Sequence, residues 1–238
     1  DDPGGEVYDL EELVGKNLPP RFYRKGFVVE ARDGDMLTQA PLWELYQNTE
    51  KLKQADSRGE LNPPELDKQP YLFNGFDVDR QQPGVGVFTV ADAVQEAMAA
   101  DPRLDTTLQD ASDDEVKLAL HYLLRDPKTE YLKDFLSPQK KKVEPRMVLG
   151  QEIDYWTAPA MTFGVAADNE KLGGGGVRIG ATSDPVTEGK EHFNRKAQAI
   201  LRGEQESYGL WGVAIDAGLE IADEAATAVP FIMATFLI

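Results

Sequence analysis

An α+β fold, a split βαβ sheet with helices on one face and a helical insertion, is predicted by three observations. Four runs rich in β-branched and aromatic residues, Phe22–Ala31, Tyr71–Val78, Ala160–Ala167 and Tyr208–Ile215, read as strands. A stretch with apolar residues at helical spacing separates the first from the second, and another separates the third from the fourth. Between the two halves lies a segment of about 101–150 in which short helical signals follow one another.

The elements can be justified in order. Residues 1–20 are rich in Gly, Pro and acids and read as a lead-in, with a short helix around Leu10–Val14. In the first strand Phe27, Val28 and Val29 carry the signal, and Asp33-Gly34-Asp35 is a turn. Thr38 is placed to cap the first helix, with Pro41 in its first turn and Leu42, Leu45, Tyr46, Thr49 and Leu52 on one face. Gly59 and Pro63-Pro64 stop it. Thr89 and Asp92 form a capping-box pair for a second helix that buries Val90, Ala93, Val94, Ala97 and Met98. Ser112 and Glu115 form another, for a helix burying Val116, Ala119, Leu120, Leu123 and Leu124. Asp126-Pro127 opens the next, with Tyr131, Leu132, Phe135 and Leu136 inward and Ser137-Pro138 as its stop. Lys140-Lys141-Lys142 reads as a basic cluster in a loop. Val177–Thr182 is placed as a short returning strand after the Gly173–Gly176 run. Asp184-Pro185 starts a long helix ending at Gly203, with Val186, Phe193, Ala197, Ile200 and Leu201 inward.

Charge narrows the function classes. Forty-two acids face 25 Lys and Arg, a net charge of −17. Such a surface repels nucleic-acid phosphates, so no nucleic-acid partner is expected. Two explanations for the acidity stand: an acidic surface that keeps the protein soluble, or adaptation of a halophile to concentrated salt, which screens self-repulsion. The even spread of acids along the chain favours the second.

Candidate chemistry is sparse. With no cysteine, thiol catalysis and thiolate zinc sites are excluded. His121 and His192 have no second ligand at i+4, and no metal or cofactor is expected. The run Gly173–Gly176 lacks the Lys-Ser or Lys-Thr of a phosphate loop and precedes a strand-like segment, so it reads as a hairpin tip. The five serines fall at caps, turns and segment edges, with none in a GxSxG motif, and no catalytic residue is assigned. Asp33/Asp35 and Asp77/Asp79 are acid pairs able to hold a cation, without the continuation of an EF-hand. Trp43, Trp156 and Trp211 read as core or interface anchors, and Tyr155-Trp156 is placed to line a cleft for an apolar molecule. A soluble halophilic α+β hydrolase is the alternative reading of this composition.

The last stretch is different. Ala225–Ile238 carries no charge, and Phe231, Ile232, Met233, Phe236, Leu237 and Ile238 leave no polar stripe. Acids stop at Asp223 and Glu224, and Pro230 suits a first helical turn. This reads as the start of a transmembrane helix that the sequence cuts short. The expected organisation is a membrane-proximal lead-in over 1–20, a domain over 21–222, and the beginning of the span over 223–238.

Several segments, in this order and spacing, resemble the MMPL-like, archaeal-type exporters of the RND superfamily. They are Asp2-Pro3 through Val7-Tyr8-Asp9; Phe27-Val28-Val29-Glu30 followed by Gly34-Asp35-Met36-Leu37-Thr38 and the helix with Leu42 and Leu45; and Asp113-Asp114-Glu115 with Leu123-Leu124 and Phe135-Leu136-Ser137. Trp156-Thr157-Ala158-Pro159-Ala160 and Ile221-Ala222-Asp223-Glu224 with Pro230 complete the set. The resemblance implies a large extracytoplasmic loop, a porter domain with a ferredoxin-like sheet, placed on the outer side of the cell membrane. It implies a path for hydrophobic or amphiphilic substrates, lipids among them, and no enzyme activity. Its implied partners are the membrane helices and second large loop of the same transporter, and the membrane through the C-terminal segment. It leaves a homo-oligomer open.

Overall fold

The computed structural model describes residues 22–62, 68–77, 82–102, 104, 106–174 and 185–212. The lead-in, the strand placed at Val177–Thr182, and everything after Gly212, the apolar run included, lie outside the described residues.

The centre of the fold is strand β1, Phe22–Ala31. Its alternation decides its place: Tyr23, Lys25, Phe27, Val29 and Ala31 are buried, while Arg24, Gly26 and Glu30 are exposed. Strand β6, Ala160–Asp168, pairs antiparallel on one side, with Phe22 opposite Asp168 and Glu30 opposite Ala160. Strand β7, Tyr208–Gly212, pairs antiparallel on the other, with Ala31 opposite Tyr208 and Phe27 opposite Gly212. Phe27 and Phe163 face each other across the ladder and stack at 5.6 Å.

The strand expected at Tyr71–Val78 is divided. Tyr71–Phe73 runs beside the outer edge of β6, with a bridge from Leu72 to Ala167 and the Phe73 N–H donating to the Ala166 carbonyl at 2.9 Å. The chain then turns into a small hairpin of β2, Asn74–Asp77, and β3, Gln82–Val85. It returns to the same edge at Val87, which bridges to Val165. The return is tight: a Cβ on Gly86 would sit 2.8 Å from the Ala166 carbonyl oxygen and from Phe73 N, so only glycine fits.

Two helices cover the buried face. Helix α1, Gln39–Ser57, buries Leu42, Leu45, Thr49 and Leu52 as expected, together with Asn48 and Asp56. Thr38 does occupy the N-cap position, but its hydroxyl donates to the Asp35 carbonyl instead of capping the helix. Helix α4, Pro185–Arg202, leads into β7. The Tyr208 hydroxyl ties the pair together, donating to the Leu201 carbonyl at 2.7 Å and accepting from Asn48 Nδ2 at 2.8 Å.

The segment between the halves forms a lobe. Helices α2, Val90–Ala100, and α3, Asp113–Leu123, both begin with the capping boxes read from the sequence, Thr89/Asp92 and Ser112/Glu115. The helix expected after Pro127 is a 3₁₀ turn, Glu130–Phe135, whose tighter winding buries Leu132 and leaves Tyr131 exposed. Past Phe135 the insertion is not helical. Strands β4, Lys141–Val148, and β5, Gln151–Thr157, form a hairpin with a bulge between Val143 and Arg146. The expected lysine loop is therefore the start of an exposed edge strand. Lysine, Pro145 and a bulge are devices that guard such an edge, and they dilute the β signal in the sequence.

Among the described residues the fold is mixed α+β, with small antiparallel sheets, four α-helices and one 3₁₀ helix around one core cluster.

Candidate functional site

The face that α4 turns inward is unusual. Thr187, Lys190, Glu191, Asn194, Ala197 and Leu201, at spacings of three and four, are all buried. The C-terminal half of this stripe is apolar, as a core helix requires, while the N-terminal half is polar. Opposite it, β1 contributes Tyr23 and the buried Lys25. Lys190 Nζ donates to the Gly174 carbonyl at 2.8 Å and stands 5.8 Å from the centre of the Tyr23 ring. Phe193 packs edge-on against Tyr23 at 6.4 Å and against Tyr71 at 6.3 Å.

This polar layer is incompletely satisfied. Glu191 Oε1 accepts from Arg195 Nε at 3.0 Å, but its Oε2 has no hydrogen-bond partner. The Tyr23 hydroxyl and Asn194 Oδ1 are likewise buried without one. Burial, and next the Glu191 carboxylate, push the Tyr23 phenol well above its ordinary pKa, so it stays protonated. Each such orphan costs about 1–3 kcal/mol unless water or a polar ligand reaches it. Water or a polar ligand reaching the layer would satisfy these atoms.

A second cluster joins the lobe to the sheet. Asp35, in the turn after β1, accepts the N–H groups of Leu37 at 3.0 Å and Ala158 at 3.1 Å through Oδ1. Its Oδ2 accepts from Lys117 Nζ at 2.6 Å. Lys117, only 1% exposed, also donates to the Trp156 carbonyl at 2.8 Å. Burial lowers the Lys117 pKa, and Asp35 opposes that shift. Of the pair Asp33/Asp35, then, Asp35 is engaged by the Lys117 ammonium of α3, and Asp33 is exposed. Asp79 lies outside the described residues.

Tyr155 and Trp156, placed by the sequence to line an apolar cleft, are half-buried with cations against their rings. Lys117 Nζ lies 4.8 Å and the Arg146 guanidinium 4.4 Å from the Tyr155 ring centre, and Lys133 Nζ lies 5.7 Å from that of Trp156. His121 is a buried structural residue whose Nδ1 accepts the Asp154 N–H at 2.8 Å. Trp211, expected as an anchor, is 62% exposed.

A cavity of about 250 Å³ opens between α1 and the turn before β7, lined by Trp43, Glu44, Gln47, Lys51, Glu204 and Glu206 among others. Trp43 stacks on Tyr46 at 5.7 Å. The Glu44 carboxylate shapes the rim, accepting from Glu206 N at 3.1 Å and Ser207 N at 2.7 Å. Sequence reasoning missed this site because its two walls are far apart along the chain. It missed the layer under α4 because Lys190 and Glu191 look like solvated residues; the stripe Thr187, Lys190, Asn194, Leu201 was the available signal. Among the described residues no group of three or more His, Cys, Asp or Glu is arranged to hold a metal ion.

Comparison of the chain with protein-family models, with curated proteins and with solved structures gave no match.

Proposed function

We propose that this chain is the extracytoplasmic porter domain of an RND-type membrane exporter, forming part of the path for hydrophobic or amphiphilic substrates, lipids among them. The observation that carries the reading is the route of the chain through the sheet. β7 runs antiparallel to β1, from Tyr208 beside Ala31 to Gly212 beside Phe27, heading back toward the end at which β1 begins. A domain inserted into a longer chain takes in and returns that chain on one side. The order β7-β1-β6, extended by Leu72 at the edge of β6, with α1 after β1 and α4 before β7, is compatible with a ferredoxin-like split βαβ sheet.

In this reading the uncharged run Ala225–Ile238 is the outer end of a membrane helix, where each charge would cost a few kcal/mol. Among the described residues no helix is long and apolar enough to cross a membrane. The partners are the membrane helices and second large loop of the same transporter. The under-satisfied layer beneath α4 suits a helix that shifts as the membrane part cycles.

Flotation with phosphatidylcholine vesicles tests the reading. The full chain should rise with the vesicles, and a chain cut after Glu224 should stay behind with an unchanged Tm. A folded full chain that ignores the vesicles, or a truncation that unfolds the domain, would overturn it.

A further inference from the structure

We propose that the β4–β5 hairpin is a docking arm whose tip enters the cavity beside Trp43 on a second copy of this chain. The tip carries two of the most exposed large apolar side chains among the described residues, Met147 at 69% and Leu149 at 58%. Leu149 has φ 48° and Gly150 φ 80°, the two left-handed positions of a tight hairpin turn. Asparagine, aspartate or glycine suits the first of these, and leucine there costs about 1–2 kcal/mol. An exposed leucine kept in a strained position is a side chain presented to something.

Charge indicates what that is. Residues 140–157 hold four cations, Lys140, Lys141, Lys142 and Arg146, against three acids, in a chain of net charge −17. At long range the net charge of −17 opposes both anionic lipid and a second copy, so the partner must place its acids close to the arm's cations, and a zwitterionic surface offers no such complement. A second copy offers both halves of the match. Trp43 supplies an aromatic wall for the apolar tip, and Glu44, Glu204 and Glu206 supply acids for Arg146 and the lysines. Lys51, the cation of that lining, donates to Asn48 Oδ1 at 3.3 Å within the same lining. Arm and cavity are different surfaces, so the contact either is made twice about a two-fold axis or repeats head to tail as a ring or an open chain.

The arm and the cavity exist whether or not the chain belongs to an exporter. Sedimentation velocity of the full chain over a concentration series decides the matter. Concentration-dependent association is expected, with Leu149→Asn weakening it about tenfold, the size of an anchor residue's effect. That substitution relieves the turn, so Tm should hold or rise, and lost association cannot be put down to unfolding. Arg146→Glu should weaken association similarly, and combining it with Glu206→Lys should restore it. A chain that stays monomeric, or associates indifferently to all three changes, overturns the proposal. So does a Leu149→Asn chain that loses vesicle binding while its self-association is unchanged, since the arm's partner would then be lipid.

Discussion

Helices α1 and α4 cover the same face of the same sheet and are held there by different means. α1 presents Leu42, Leu45 and Leu52, all fully buried, and its buried Asn48 is hydrogen-bonded to Tyr208. α4 presents Thr187, Lys190, Glu191 and Asn194 in its first half, and three oxygens in that region lack hydrogen-bond partners. Apolar burial is non-directional and stabilises at any small displacement, whereas a half-satisfied polar layer loses little when water enters it. α1 is therefore expected to be the fixed wall of the domain and α4 the wall that opens more readily.

The largest expected effect tests the fixed wall. Leu45→Ala removes a fully buried side chain from α1 and should destabilise the domain by about 2–5 kcal/mol in urea unfolding. A cost under about 1 kcal/mol would mean that α1 is no better packed than α4, and the contrast would collapse.

Next in size, and opposite in sign, is Tyr23→Phe. The phenol oxygen is buried without a partner, so removing it should leave stability unchanged or raise it by up to about 2 kcal/mol. A loss of more than about 1 kcal/mol would show that the hydroxyl is satisfied, by an ordered water for example, and that the layer is a completed network.

How far these features could be read from the sequence follows from their range along the chain. The capping boxes at Thr89 and Ser112 span four residues each and were legible, as was the β signal of Phe27, Val28 and Val29 in β1. The hairpin of β4 and β5 was not, since Lys141, Lys142, Glu144 and Pro145 occupy an edge strand that needs no apolar alternation. Tyr71–Val78 looked continuous because nothing local reveals that Gly86 must return to the same edge of β6. The cavity wall pairs Glu44 with Glu206 and Ser207, and only the fold brings them together. Lys117 is the instructive failure: a lysine within a helix is read as solvated, and its burial depends on Asp35, 82 positions earlier.

The smallest expected effect is a local one and concerns pH. His192 lies in the first half of α4, where burial, and then the nearby Lys196 ammonium, hold its pKa below the ordinary histidine value, while a hydrogen bond with the Asn62 backbone opposes the shift. Its Nε2 is buried with no hydrogen-bond partner. With the folded pKa depressed, the unfolded or opened helix binds the proton first as pH falls. The stabilisation is therefore complete above about 6.5 and declines as pH drops from there through the folded pKa. The loss should appear as a larger population of the open helix at low pH. Hydrogen exchange, corrected for intrinsic rates, should show amides of Lys190–Ala197 opening more often at pH 5.5 than at 7.5, with those of Leu42–Leu52 unchanged. His121 on α3 is also held low by burial and acts with the same sign, but its readout lies in the lobe. His192→Asn should abolish the pH response of α4 and leave that of the lobe. Equal acceleration in α1 and α4 would mean that the two helices open as one unit, and the distinction between a fixed and a movable wall would be lost.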